Sequence, residues 1–370
     1  MSVYFDHNAS SPLVSAARQA MAAWLEGEAG NPSSVHRPGR AARAAVERAR
    51  RQVADAVGVV AGELVWTSGA TEALHMAVLG CVPRGGHVVA SAVEHPALFG
   101  ACQVAEARLT RVPVDGEGQV DPEAELAAIE PDTALVALMA AQNELGGLLP
   151  VEAVAARTRV PVLCDAVQAF GRVPLRLPAL GCRLAVLSAH KMGGPQGVGA
   201  LWIAPGLRLW PTLVGGGQER GRRGGTEGAL AAVGFGAAAS VVSERLAYMP
   251  RVAQLRDRLE AGLAHMAGVV FHGRSSRRLP NTCAWRFRDV PGDVLLEALD
   301  LEGFYLSSGS ACSAGAVEPS PVLLALGLTE EEARQGLRAS LGPENTEVEV
   351  DALLAVLPRI VERIRGSGPC

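Results

Sequence analysis

The chain has 370 residues, which is enough for one large α/β domain or for a large domain with a smaller one. Its 49% apolar and 19% charged residues and its net charge of −4 exclude the basic excess of a nucleic-acid-binding protein. No stretch approaches the roughly 18 uninterrupted apolar residues of a membrane helix, and the N-terminus has no signal pattern, so we expect a cytoplasmic protein without membrane contact.

Between about residues 60 and 205, short apolar runs alternate with polar turns and Ala-rich stretches. This βα alternation predicts a mainly parallel sheet flanked by helices. Before it, residues 41–58 form an amphipathic pattern typical of a helix, and after it the glycine-rich residues 215–228 predict a loop. The candidate strands are residues 63–67, 87–91, 134–140, 161–165, 184–188 and 199–204.

A second unit is predicted to begin between about residues 245 and 250. Helical patterns cover residues 251–266, 292–300 and 346–364. Apolar runs near residues 268–273 and 281–287 predict two strands. The second unit is therefore expected to be a smaller α+β domain.

Polar residues cluster directly after the candidate strands of the first unit. Ligands of open α/β sheets bind at the carboxyl ends of the strands, so these residues are the first candidates for chemistry. They are Ser68 to Glu72, Glu94, His95, Asn143, Asp165, Gln168 and Ser188 to Lys191.

Lys191 is the only lysine among 34 basic residues. Arginine can replace lysine wherever only a positive charge is needed, but a guanidinium stays protonated and cannot condense with an aldehyde. A lysine that forms a Schiff base cannot be replaced in this way. Lys191 is therefore a candidate for that chemistry, and chance survival of one surface lysine is the alternative.

An aldehyde cofactor such as pyridoxal phosphate needs an amine, an anion site and an acid for its ring nitrogen. Lys191 can supply the amine, and Asp165, directly after an apolar strand, can supply the acid. The anion site can come from the helix that opens in "TSGAT", with Thr71, and from Ser188 and His190. His95 can stack on the ring and handle protons. Each of these residues also has an ordinary structural interpretation as a helix cap, a turn residue or a structural histidine.

Cys312 lies in "SSGSACSAGA", residues 307–316, where only small residues surround the thiol. Such a segment suits a mobile nucleophile, and a flexible linker with an incidental cysteine is the alternative. The seven cysteines of the chain form no CxxC pair or zinc spacing, so neither a metal site nor a disulfide framework is expected.

Taken together, these motifs resemble the cysteine desulfurases of the class V aminotransferase superfamily. The resemblance runs from end to end of the chain. It rests on "VYFDHNASSP", "GNPSSVHRPGRAAR", "WTSGATEA", "VEHPAL", "AAQNELGGLLPV", "CDAVQAFG", "LSAHKMGGPQGVGAL", "GGGQERGRRGGT", "LPNTCAWRF", "SSGSACSAG" and "LRASLG". It implies the α/β fold of fold type I pyridoxal phosphate-dependent transferases, with a mainly parallel seven-stranded sheet in a large domain of residues 12–248. Residues 1–11 and 249–370 would form the small domain.

The resemblance also implies a role for each matched residue. Lys191 would form the Schiff base, Asp165 would pair with the ring nitrogen, and His95 would stack and move protons. Gln168 would bond the ring oxygen, while Asn143 and Arg338 would hold the substrate carboxylate. The phosphate would be held by Ala70, Thr71, Ser188 and His190, and by Thr226 of the other subunit in a homodimer.

The implied reaction converts L-cysteine to L-alanine and leaves the sulfur on Cys312 as a persulfide. The "SSGSAC" form resembles the group that serves iron–sulfur cluster assembly, which implies a protein sulfur acceptor. One departure is Gln142, where the family usually has a second Asn, and another is the short C-terminal tail. The alternatives are a selenocysteine lyase or an aminotransferase of the same superfamily, and a catalytically silent interaction protein of the same fold.

Overall fold

The computed structural model describes residues 2–27, 30–308 and 318–367. The helices are α1 (Ser15–Leu25), α2 (Arg37–Val57), α3 (Ala70–Cys81), α4 (Pro96–Val104), α5 (Pro122–Ala127), α6 (Val151–Ala155), α7 (Ala229–Ser240), α8 (Val242–Ala264), α9 (Gly292–Leu301), α10 (Pro321–Ala325), α11 (Glu330–Arg334) and α12 (Glu347–Ser367). The strands are β1 (Val3–Tyr4), β2 (Leu64–Thr67), β3 (His87–Ser91), β4 (Arg108–Val112), β5 (Thr133–Ala137), β6 (Val162–Asp165), β7 (Leu184–Ser188), β8 (Gly199–Ile203), β9 (Val269–His272), β10 (Thr282–Phe287), β11 (Phe304–Tyr305), β12 (Ser307–Ser308) and β13 (Gly336–Ser340).

A seven-stranded sheet with strand order β2-β8-β7-β6-β5-β3-β4 forms the centre of the first unit. Its strands are parallel except β8, which runs antiparallel to both neighbours. Because β2, β3, β5, β6 and β7 therefore point the same way, their carboxyl ends meet at one edge of the sheet. Buried apolar clusters cover both faces. The predicted α/β class and the mainly parallel sheet are confirmed.

The six strands predicted from apolar runs are all present, with ends that shift by at most three residues. The sheet's seventh strand, β4, had not been predicted individually. It lies at the edge, and its arginines and threonine interrupt the apolar run by which the other strands were recognised. Helix α2 begins at Arg37, four residues before the predicted start, because Pro38 occupies its first turn and the His36 side chain caps it.

The second unit is built on the antiparallel sheet β12-β13-β10-β9. An apolar cluster joins this sheet to α8, α9 and α12, and it also includes Val3 and Phe5 from the N-terminus. Helix α8 begins at Val242 and continues through Pro250, whereas the sequence predicted a start at residue 251. The predicted division at residues 248 and 249 therefore falls within a helix, and the domain bounds stay a prediction.

No single helix in the described ranges is both long and apolar enough to span a membrane. Only α7 and α8 taken together meet that test, and they meet at a bend of 59°.

A buried ion pair fastens the glycine-rich loop to the first unit. Arg50 on α2 donates from two nitrogens to Glu219, at 2.6 and 2.7 Å. Glu219 also accepts the backbone N–H of Trp66, and both charged side chains are almost fully buried. The two buried side chains satisfy each other's hydrogen bonds. A variant that removes only one of them leaves the other charge buried and unpaired, which lowers the free energy of unfolding.

Arg50→Ala is expected to lower the free energy of unfolding by about 3 kcal/mol, because Glu219 would stay buried without its partner. The matched control is Arg84→Ala, which removes an exposed pair with Glu106 and should cost less than about 1 kcal/mol. Urea unfolding of both variants measures the difference. Equal losses of unfolding free energy in the two variants would contradict a stabilising role for the buried Arg50–Glu219 pair.

Candidate active site

A cavity of about 770 Å³ opens at the carboxyl edge of the large sheet, where the second unit faces it. It brings together residues that the sequence analysis selected from positions far apart in the chain. They are Ala70, Thr71, His95, Asn143, Asp165, Gln168, Ser188, His190, Lys191 and Arg338.

Lys191 lies in a short 3-10 turn that directly follows β7. Its Nζ donates to the backbone carbonyls of Asn8 at 2.8 Å and Ala9 at 2.6 Å. These carbonyls belong to the N-terminal segment, residues 6–11, to which the sequence analysis gave no role. The lysine is thus half-buried at the cavity and held by backbone acceptors.

Asp165 ends β6 and is buried at the cavity wall. Burial raises the pKa of its carboxyl, against the opposing effects of His95, the Val167 N–H and Lys191. Val167 N–H donates to its Oδ1 at 3.0 Å. An opposite charge or a donor placed in the cavity would favour the ionised form.

His95 caps the N-terminus of α4, because its Nδ1 accepts the N–H of Ala97 at 3.1 Å. This bond leaves the hydrogen of the neutral ring on Nε2. His95 also lies near enough to Asp165 to lower the pKa of that carboxyl. The His95 ring is therefore held in a fixed orientation at the cavity wall.

A helix start and a strand end place hydrogen-bond donors at the cavity. Helix α3 begins at Ala70 with no side-chain cap, and its first two residues, Ala70 and Thr71, line the cavity. Ser188 and His190 line the same cavity. Burial, with Lys191 and Arg172, lowers the pKa of His190 to about 4, so its ring is neutral at neutral pH and acts through hydrogen bonds.

Glu72, in the first turn of α3, would repel an anion there unless its charge were balanced. Arg223 of the glycine-rich loop donates to it at 2.7 Å, and Ser68 N–H donates at 2.6 Å. Burial acts to raise the pKa of Glu72, but these hydrogen bonds bring it below its usual value. Thr226, three residues after Arg223, is exposed and does not line the cavity of its own chain.

Gln168 is held by Arg172, which the sequence analysis did not select. Arg172 donates to the Gln168 side-chain oxygen at 2.8 Å and to the His7 carbonyl at 2.8 Å, and only 1% of it is exposed. The Gln168 amide nitrogen therefore points the other way and donates to Asn8 O at 3.0 Å. No local pattern marks Arg172, because its partners are set by the fold.

Arg338 lies in the middle of β13 and is buried. Its guanidinium donates to Asp6 Oδ1 at 2.7 Å and to the carbonyl of Asn143 at 3.0 Å. Its Nε is buried and has no hydrogen-bond partner. A buried unpaired donor on a guanidinium is suited to an additional acceptor such as a carboxylate.

Glu144 is a further cavity residue without a role in the sequence analysis, although "AAQNELGG" contains it. It is buried and accepts the hydroxyl hydrogen of Ser320 at 2.5 Å. Cys312 lies outside the described residues. Glu318 and Pro319, which follow residues 309–317, line the cavity.

Comparisons with known proteins agree with this geometry. The family model described as Aminotransferase class-V matches residues 3–353. A cysteine desulfurase from Cereibacter sphaeroides is 42% identical, over 99% of this chain and 97% of the relative. Cysteine desulfurase IscS from Dictyoglomus turgidum is 38% identical, over 99% and 96%. A solved structure of a NifS-like protein superposes with a TM-score of 0.90 at 32% identity, covering 98% of this chain and all of the other.

These matches confirm the resemblance that the sequence motifs indicated, both in fold and in the group of relatives. The alignments cover nearly all of this chain and nearly all of each relative, so the similarity does not rest on one shared domain. The chain belongs to the class V aminotransferase family, among the relatives of the cysteine desulfurases.

Proposed function

We propose that this chain is a pyridoxal phosphate-dependent cysteine desulfurase, which converts L-cysteine to L-alanine and transfers the sulfur to Cys312. The observation that carries the proposal is the position of the only lysine. Lys191 lies in the same cavity as buried Asp165 and buried Arg338, in a chain whose relatives are cysteine desulfurases.

The donor set of the cavity fits pyridoxal phosphate. Lys191 offers the amine, Asp165 a buried acid for the ring nitrogen, and His95 a flat ring at the cavity wall. The uncapped start of α3 with Ala70 and Thr71, together with Ser188 and His190, offers donors for the phosphate. When bound there, the cofactor supplies an electron sink for the carbon framework of the substrate.

The residues around the cofactor site move protons and orient the bound groups. Lys191 Nζ, once released from the Asn8 and Ala9 carbonyls, is the nearest amine for removing a proton from the substrate α-carbon. Gln168, whose side-chain oxygen is held by Arg172, lines the cavity and donates its amide N–H to the Asn8 carbonyl. His95 holds a proton at Nε2 while its Nδ1 stays bonded to Ala97.

Arg338 is the proposed carboxylate site. Its unpartnered Nε and its fixed bonds to Asp6 and Asn143 pre-orient a planar donor group. A carboxylate bound there would gain charge-assisted hydrogen bonds from this guanidinium. Asn143 contributes through its backbone carbonyl, which holds Arg338, and its side chain lies at the cavity.

Cys312 is the proposed sulfur acceptor, and the described ends of its segment support this. Ser307 pairs with Arg338 in the sheet, and Glu318 lines the cavity. Cys312 is the fourth residue after Ser308, and four residues of extended chain span at most about 14 Å. In the reaction, the Cys312 thiolate attacks the substrate sulfur, the carbon–sulfur bond breaks as the new S–S bond forms, and protonation of the carbon gives alanine.

A homodimer belongs to the same proposal. Trp210 and Val214 are each 81% exposed, and Leu213 is also exposed, directly before the glycine-rich loop that carries Thr226. Such a run of large apolar side chains on a surface favours a protein interface. A second copy covering this face would lie next to the loop that carries Thr226.

Further parts of the proposal are a protein sulfur acceptor, such as an iron–sulfur cluster scaffold, and a cytoplasmic location. The latter is supported by free thiols, because the described cysteines Cys81, Cys102, Cys164, Cys182 and Cys283 form no disulfide.

Lys191→Ala and Lys191→Arg are both expected to lose the visible absorption of the bound cofactor. The arginine variant is the matched control, since it keeps the charge but cannot condense with an aldehyde. Absorption spectra after reconstitution with pyridoxal phosphate, with circular dichroism to check folding, provide the measurement. Normal cofactor absorption in a folded Lys191→Arg protein would show that only a charge is needed.

Cys312→Ser is expected to lower alanine and sulfide formation from L-cysteine by more than about 100-fold, because the nucleophile is lost. Cys81→Ser is the control, since Cys81 does not line the cavity and burial raises the pKa of its thiol to about 11. Undiminished alanine formation in Cys312→Ser would indicate another enzyme of the superfamily. No activity in the wild-type protein, and no cofactor binding, would support a silent interaction protein.

Trp210→Glu combined with Val214→Glu is expected to convert a dimer into a monomer, because two charges would enter an apolar interface. Light scattering during gel filtration measures the mass. Leu301→Glu, which places a charge on another exposed apolar residue, should leave the dimer intact. A monomeric wild-type protein, or a double variant that stays dimeric, would refute the assigned face.

A further inference from the structure

Glu144 is a cavity residue with Arg338 and His95 nearby. It belongs to the cavity wall, and only 6% of it is exposed. Arg338 and His95 both lie near enough to influence the ionisation of its carboxyl. Neither the implied roles nor the proposed reaction uses this buried acid, which therefore needs a separate explanation.

A fixed turn holds Glu144 in place. Gln142 accepts the backbone N–H of Glu144 at 2.6 Å and that of Leu145 at 2.8 Å through its side-chain oxygen. The backbone of Gln142 bonds Gly147 and Gly146 on the far side of the turn. Gly146 has a φ of +80°, and a Cβ there would approach Thr282 within 2.8 Å. The carboxyl of Glu144 is thus presented from a tightly constrained backbone.

The partner of that carboxyl is Ser320, which stands where the chain re-enters the described structure. Ser320 is buried, donates its hydroxyl hydrogen to Glu144 at 2.5 Å, and accepts the N–H of Leu323 at 3.1 Å as the cap of α10. Glu318 and Pro319, between residue 317 and this anchor, line the cavity. The hydrogen bond therefore fastens the chain just after the segment that contains Cys312.

We propose that Glu144 is a positioning residue for sulfur transfer, which fixes Ser320, eight residues after Cys312, at the cavity wall. This inference rests on the proposed function, since it presupposes that Cys312 receives the sulfur. The nucleophile lies eight residues before Ser320, and displacement of that anchor alters where the thiol can reach. Small displacements of a reacting group can cost a large factor in rate.

The ionisation of Glu144 makes the anchor sensitive to pH. Burial raises the pKa of this carboxyl to about 7, while the Ser320 hydroxyl, Arg338 and His95 act in the opposite direction. The ionised form accepts the Ser320 hydrogen more strongly than the neutral form does. The anchor consequently strengthens as the pH rises through about 7 and weakens below it.

The test removes the donor and the acceptor of the Ser320–Glu144 hydrogen bond in separate variants. Ser320→Ala removes the donor, and Glu144→Ala removes the acceptor while leaving Ser320 to cap α10. Glu144→Gln keeps an oxygen acceptor but cannot ionise. Thr329→Ala is the matched control, because it removes the cap of the neighbouring short helix α11 at an exposed position outside the cavity.

Alanine formation in a single turnover, at saturating L-cysteine, is the first readout. We expect Ser320→Ala and Glu144→Ala to slow it by about tenfold, with the half-saturating L-cysteine concentration changed by less than about twofold. Glu144→Gln should retain most of the wild-type rate. The wild-type rate divided by the Glu144→Gln rate should rise as the pH increases from 6 to 8. Thr329→Ala should match the wild-type protein.

The inference would be overturned if Ser320→Ala and Glu144→Ala kept the wild-type rate, or if Thr329→Ala lost as much. Equal pH profiles for the wild-type and Glu144→Gln proteins would overturn the pH-sensitive anchor. Failure of the proposed function has a different signature, because the wild-type protein itself would then form no alanine from L-cysteine.

Discussion

The hydrogen bonds made by the N-terminal segment, residues 6–11, are the constraint on which the cavity depends. The carbonyl of Asn8 accepts from both Lys191 and Gln168, and Asp6 pairs with Arg338. The segment itself is fixed to the second unit, since β1 pairs with β11 and Asp6 bridges to Ser340. One short stretch of backbone therefore sets the distance between the lysine of the large sheet and the arginine of the second unit.

This arrangement explains how so many polar groups can be buried around one cavity. Arg172 is almost fully buried without a carboxylate among its hydrogen-bond partners, yet its bonds to Gln168 and His7 satisfy two of its nitrogens. His190 stays neutral because burial and nearby cations disfavour its charged form. The site thus concentrates buried hydrogen-bond donors around one cavity.

Much of the fold and of the site was predictable from the sequence, because the signals are local. Apolar runs located the six main strands, and a unique lysine among arginines marked Lys191. The roles of Gln168 and Arg338 came only from the resemblance. Arg172, Glu144 and the Arg50–Glu219 pair could not be predicted, because each depends on partners brought together by the fold over long sequence separations. Edge strand β4 was missed because its pattern is polar.

The central claim is that L-cysteine delivers its sulfur to Cys312. Mass spectrometry of the purified, cofactor-loaded protein after brief exposure to L-cysteine, without reductant, tests it most directly. We expect the peptide that contains Cys312 to gain the mass of one sulfur atom, which is removed again by a thiol reductant. Alanine formation with the added sulfur on another cysteine, or with no added sulfur on the protein, would contradict the account.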